Sequence, residues 1–131
     1  MSTKHITGNV GLYLTCYKLS KLGWNAMPTA RNARGIDIVA YDRRASHFIG
    51  VQVKTVSKRS PIGLGKDLDN IAGDFWVIVA RAADEPTSFV MFPEEVKRLA
   101  HRGEKDGRVS FWLQPNAYDV EDFRERWDRF G

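Results

Sequence analysis

Apolar residues recur at helical spacing over residues 8–22. Val10, Tyr13, Leu14 and Tyr17 lie three and four apart, and Cys16 and Leu19 widen the stripe. Thr7 is the expected N-cap, Lys18 and Lys21 lie where the helix dipole favours cations, and Gly23 ends the helix. Residues 24–29 then read as a short strand limited by Pro28, and residues 30–34 as a basic loop. Two strands are expected at 35–41 and 48–55, joined by the polar turn 42–47. Residues 56–70 show no period and read as one long loop. The continuous apolar run 75–80 has the length of a buried central strand, and 88–92 of another. Pro93 opens a helix at its favoured first position. Glu94 and Glu95 lie in its first turn, Lys97, Arg98, His101 and Arg102 toward its end, and Val96, Leu99 and Ala100 on its apolar face. A turn at 103–107, a strand at 109–113 and a helix capped by Asp119 complete the chain. Val120, Phe123, Trp127 and Phe130 form one stripe on that last helix. The order predicts an α/β protein, a mixed sheet flanked by helices, in one domain over 1–131.

Strand side chains alternate faces with period two. Asp37, Val39 and Tyr41 therefore share a face of the first hairpin strand. Phe48, Gly50, Gln52 and Lys54 share a face of the second, with Ile49, Val51 and Val53 opposite. Antiparallel pairing brings Asp37 toward Gln52 and Lys54. A carboxylate, an amide oxygen and an ammonium group in one place suit phosphodiester hydrolysis. A divalent metal polarises the phosphate and lowers the pKa of an attacking water, and Mg²⁺ needs only one or two protein carboxylates. Asp37 offers an anionic oxygen, Gln52 and the Val53 carbonyl neutral ones, and Lys54 a compact cation to orient water or stabilise charge. The plainer alternative is an exposed Asp37–Lys54 ion pair, worth at most about 1 kcal/mol.

Charge distribution sharpens this reading. Residues 1–66 carry 11 Lys/Arg against 2 Asp/Glu, whereas residues 67–131 are net acidic; the whole chain is +4. No acid precedes Asp37. Such asymmetry fits a surface turned toward a polyanion, most simply nucleic acid. Lys58 and Arg59, with Arg31, Arg34 and Lys4, are the expected phosphate contacts. With one cysteine, Cys16, no internal disulfide can form, which fits the cytoplasm. No apolar stretch reaches the length of a membrane helix. His5, His47 and His101 have no metal-ligand spacing, and Cys16 has no nearby His, so it reads as core rather than nucleophile. Gly63-Leu-Gly-Lys66 lacks the spacing and Ser/Thr of a phosphate loop.

The pattern Gly35-Ile-Asp37 … Val51-Gln52-Val-Lys54-Thr, after a helix opening Gly8-Asn-Val-Gly11, resembles the PD-(D/E)XK nuclease superfamily. It is most similar to the small Gln-x-Lys branch related to archaeal Holliday-junction resolvases and Mrr-type endonucleases. Asp74-Phe-Trp-Val-Ile-Val and Ser88-Phe-Val-Met-Phe-Pro93-Glu-Glu-Val look like that branch's strand–strand–helix continuation. The resemblance implies a restriction-endonuclease-like sheet with Asp37 as metal carboxylate, Gln52 as second metal-facing residue and Lys54 as catalytic lysine. It implies Mg²⁺ or Mn²⁺ as cofactor and duplex or branched DNA as substrate. A homodimer is the simplest way to cut two strands. Gln52 stands where the usual acid precedes x-Lys, and Leu12 where many relatives carry a first-helix Glu. One formal negative charge would hold the metal weakly before substrate arrives. A catalytically inactive module that binds nucleic acid or a partner protein is the alternative.

Overall fold

The structure, a computed structural model, describes residues 3–30 and 35–131, with side chains from residue 5 onward. Helix α1 (Thr3–Lys21) leads into β1 (Asn25–Pro28), β2 (Ile38–Tyr41), β3 (Phe48–Thr55) and β4 (Ile62–Gly65). A 3-10 helix (Leu68–Asn70) precedes β5 (Phe75–Ala80), β6 (Thr87–Met91) and α2 (Pro93–Leu99). Strands β7 (His101–Lys105) and β8 (Arg108–Leu113), helix α3 (Pro115–Tyr118) and a second 3-10 helix (Trp127–Phe130) close the chain. A five-stranded mixed sheet runs β1-β2-β3-β5-β6, with β3 and β5 parallel and the other neighbours antiparallel. A three-stranded antiparallel sheet runs β4-β8-β7.

The large sheet is buried on both faces. Val77 and Val79 of β5 join Ile38, Ala40, Val51 and Leu19 under α1, while Trp76, Ile78 and Ala80 join Ile62, Leu64 and Leu113 beneath the small sheet. This double burial is why β5 reads as an unbroken apolar run.

The helix α1 starts earlier than expected and turns a different face inward. Gly11, Thr15 and Leu19 are buried, four residues apart, whereas Tyr13 is 61% and Tyr17 56% exposed. A Cβ at Gly11 would collide with the Thr55 hydroxyl, so α1 lies against β3 at a point where only glycine fits. Small and polar residues make this contact, and a hydrophobicity period does not register them. Cys16 is half-buried beside that face, and burial pushes its thiol pKa up, as a packing rather than reactive cysteine requires.

Three further expectations are corrected. Residues 56–70 are not a structureless loop, because Ile62 and Leu64 point into the core from β4. His101 and Arg102 do not extend α2; Ala100 turns to extended backbone and both residues pair in β7 with Trp112 and Phe111. The β7–β8 turn is the pair Asp106-Gly107, both at positive φ, which suits a two-residue hairpin.

The stripe Val120, Phe123, Trp127 and Phe130 does not lie on one helix. Phe123 packs under the small sheet, and Trp127 and Phe130 pack on the α1 face. Between them the chain crosses the β6 edge: Val90 N–H donates to the Phe123 carbonyl and Glu125 N–H to the Ser88 carbonyl. Glu125 at φ 52 makes that crossing, and its carboxylate accepts from Ser88 N–H at 2.7 Å and from the Trp127 indole at 2.9 Å. A continuous helix would leave the edge open; instead a turn brings Arg124 into an antiparallel bridge with Phe89 that covers it.

Two consequences are measurable. The buried Tyr118 hydroxyl donates to the Ser60 carbonyl at 2.7 Å, tying α3 to the approach to β4. Tyr118→Phe strands that carbonyl and is expected to cost about 1–2 kcal/mol in denaturant unfolding. At the β2–β3 turn, Asp42 titrates at about 2 against an ordinary 3.8. The Ser46 hydroxyl bond is the largest cause, with help from the Ser46 and His47 amides. The folded value is depressed, so the turn is fully supported above the ordinary value and loses that support as pH falls through about 2. Protection factors of the Ser46 and His47 amides, relative to their intrinsic exchange at each pH, should fall below about pH 4 in wild type (~3.8 being the unfolded carboxylate value) and be low at every pH in Asp42→Ala.

Candidate active site at the β2–β3 divergence

The site forms where β2 leaves β3. Ile38 pairs with Val51, so the next pair along is Asp37 opposite Gln52. Asp37 N–H still donates to the Val51 carbonyl at 2.9 Å, and the Asp37 carbonyl accepts from Thr29 N–H at 2.9 Å. The backbone of Asp37 is therefore fixed from both neighbouring strands. Beyond it the ladder stops, and the side chain takes over: Asp37 Oδ2 accepts from Val53 N–H at 2.7 Å. A hydrogen bond to a charged acceptor of this length aims the carboxylate.

Asp37, Val53 and Lys54 line one cavity of about 560 Å³, together with Thr29 and the α1 residues His5, Asn9 and Leu12. Lys54 lines it as a residue, while its side chain lies on the face of β3 opposite Val51, its ammonium 5.8 Å from the centre of the Trp76 ring. The close seat of Gly11 on Thr55 is what brings the first turns of α1 to this cavity. Leu12 stands on its wall, and no carboxylate of α1 does, since residues 1–36 contain none.

Gln52 lines a neighbouring cavity with Gly35, Asp69, Asn70 and Ala72. It is only 8% exposed, not solvent-facing, and its Oε1 is buried without a hydrogen-bond partner among the described residues. A buried, unpaired acceptor costs free energy unless something fills it, and a cation would. Asp37 and Gln52 thus offer hard oxygens of the kind Mg²⁺ takes. They carry one formal negative charge. No group of three His, Cys, Asp or Glu able to hold a metal occurs among the described residues.

Asp69 beside Gln52 was missed in the sequence because residues 56–70 read as a featureless loop. The pattern Asp67-Leu-Asp69, in which Asp67 caps the turn by accepting from Asp69 N–H at 2.9 Å, was the available signal. Asp74 is structural: its carboxylate accepts from Gly50 N–H and its N–H donates to the Gly50 carbonyl, both at 2.8 Å, which locks the start of β5 to β3.

The basic residues divide. Arg31 and Arg34 lie outside the described residues, as does the Lys4 side chain. Lys58 is exposed. Arg59 turns away from Asp37, donating to Asp119 at 2.7 Å and Asn116 at 3.1 Å in a cleft shared with Arg81 and Arg124. Arg124 and Arg59 together hold the Asp119 carboxyl below its usual value.

No family model matches the chain, and no curated protein matches it. Among solved structures it is similar to a bacterial homing endonuclease, I-Ssp6803I, with a TM-score of 0.62 and 17% identity over 98% of this chain and 93% of that one. At that identity the likeness is one of fold, over nearly the whole of both chains. Among the described residues no helix is long and apolar enough to cross a membrane.

Proposed function

We propose that this chain, which shares its fold with a homing endonuclease, is a metal-dependent DNA endonuclease domain of the PD-(D/E)XK type. The observation that carries the reading is the meeting of Asp37, Val53 and Lys54 on one cavity at a strand divergence, beside an unpaired Gln52 oxygen. Asp37, Gln52 and the Val53 carbonyl would hold Mg²⁺ or Mn²⁺, which supplies phosphate polarisation and a water of lowered pKa when bound. Asp37 presents a carboxylate already oriented by Val53 N–H. Lys54 donates to a non-bridging oxygen of the scissile phosphate, or to the attacking water, and offsets the charge that develops there. Lys58, with Lys4, Arg31 and Arg34, contributes phosphate contacts that give affinity without sequence choice, whereas Arg59, expected from the sequence to join them, is held by Asp119 and Asn116. Two copies acting on duplex or branched DNA in the cytoplasm complete the reading.

A second reading has its own support: Leu12 on the cavity wall leaves one charged metal oxygen, as in a module that binds DNA without cutting it. Supercoiled, linear and branched DNA incubated with Mg²⁺ or Mn²⁺ separates the two. Cleavage by wild type that is lost in Lys54→Ala and Asp37→Ala supports the enzyme. Salt-sensitive binding without cleavage in either metal supports the binding module.

A further inference from the structure

The small sheet packs one face on the core and leaves the other bare. Ile62, Leu64 and Leu113 point inward, so Gly63, Trp112, Ser110 and Arg108 point outward, with His101, Gly103 and Lys105 beside them by register. Trp112 sits on the middle strand β8 and is 40% exposed. Its indole does not stand up from the sheet. The six-membered ring reaches Gly63 on β4, where a Cβ would lie 3.6 Å from Cζ3. The Cδ1 edge reaches Gly103 on β7, where a Cβ would lie 3.9 Å away. The indole N–H donates to Ser110 Oγ at 2.9 Å, two residues back on the same face. Two glycines on the flanking strands and one hydrogen bond therefore lay the ring along the sheet with its outer π-face uncovered. This gives Gly63, in the segment Gly63-Leu-Gly-Lys66 that fails as a phosphate loop, a different use.

The charge around the ring selects an occupant. At the hairpin end of the same sheet, Lys66, Lys105 and Arg108 line a cleft in which Asp106 is the acid. The nearest further acid on β7, Glu104, points to the other face and meets Arg102 at 3.4 Å. Lys66 is followed directly by the turn carrying Asp69 and Asn70, which line the cavity of Gln52. The face is thus continuous along the chain with the candidate site.

From this placement we infer that the outer face of the small sheet is a stacking platform for an unpaired base of the DNA substrate. Trp112 receives the base, and Lys66, Lys105 and Arg108 hold the phosphates on the hairpin side of it. Flat aromatic rings accept any base, and adjoining cations track the backbone, so the platform adds affinity for single-stranded flaps, bulges or branch points rather than for a sequence. The inference rests on the reading of the chain as a DNA-acting domain, but it concerns binding and not cleavage.

The test is fluorescence polarisation of the full chain in EDTA at low salt, with labelled oligo-dT, a blunt duplex and the same duplex bearing a single-stranded flap. Trp112→Ala is expected to weaken binding of oligo-dT and flap by about 5- to 150-fold, and of the blunt duplex by much less. Trp112→Phe should retain part of the affinity. Gly63→Leu, which lays a side chain over the indole without removing it, should act like Trp112→Ala. Equal loss on blunt duplex and flap, no loss on either, or a Trp112→Ala effect on self-association instead of DNA binding would overturn the proposal. Because metal is absent, a failure of the nuclease reading shows in the Asp37 and Lys54 cleavage assays, and a failure of the platform shows only here.

Discussion

Lys54→Met is expected to reduce metal-dependent DNA cleavage by about 100- to 1,000-fold, the usual loss when one donor to a developing oxyanion is removed. The isosteric stem keeps its packing over Trp76, where the Lys54 ammonium sits 5.8 Å from the ring, so thermal stability should change little. Binding of DNA in EDTA should fall by no more than a few-fold, because one phosphate contact is lost among several. Lys54→Arg should not restore cleavage, since a planar fork cannot replace a compact ammonium at a site shaped for it. Asp37→Asn should be at least as inactive, and for a different reason. It keeps an oxygen that can accept from Val53 N–H but removes the charge that attracts a cation. Cleavage in Asp37→Asn should therefore respond to raised Mn²⁺, whereas Lys54→Met should not. Equal cleavage by wild type and both variants would remove the cavity from the mechanism, and chelation of the metal should stop wild type entirely.

Gly11→Ala is expected to destabilise the protein by about 1–3 kcal/mol, the cost typical of overpacking. In an isolated helix the same change would stabilise by about 1 kcal/mol, so the sign alone decides whether the α1–β3 contact governs. The added methyl falls on the Thr55 hydroxyl and 2.9 Å from Thr55 Cβ. Thr55 is β-branched and held in a strand, and it cannot swing aside cheaply. Shortening Thr55 to Ala would leave that Cβ contact in place, so Thr55→Gly is the informative partner. The double variant Gly11→Ala/Thr55→Gly should be more stable than the sum of the two single effects, measured as a coupling in urea unfolding. Because α1 carries Asn9 and Leu12 to the cavity, Gly11→Ala should also weaken cleavage under conditions where the variant remains folded.

The hairpin that carries Asp37, Gln52 and Lys54 was legible because alternation has one solution there. Val51 and Val53 must face the core, and the intervening residues then take the other side. The apolar run of β5 was legible because burial on both faces makes it continuous, and the Pro93 start of α2 and the Gly23 stop of α1 because backbone preferences mark helix ends. The α1 contact face was not, because it is built from Gly11 and Thr15, whose value lies in being small. The stripe of Phe123, Trp127 and Phe130 misled because spacing along the chain cannot tell one helix face from two sides of a sheet edge.

The site divides along the same line. Residue types and their period determined which side chains could meet at the start of β2 and the end of β3. Tertiary packing alone decided that Asp37 is aimed by Val53 N–H, that Gln52 is buried against Gly35 and the Asp69 turn, and that Arg59 is committed to Asp119. Local sequence sets direction within a strand over two or three residues. Burial and partner choice depend on elements tens of residues away, whose positions are set only when the two sheets and α1 close on their shared core.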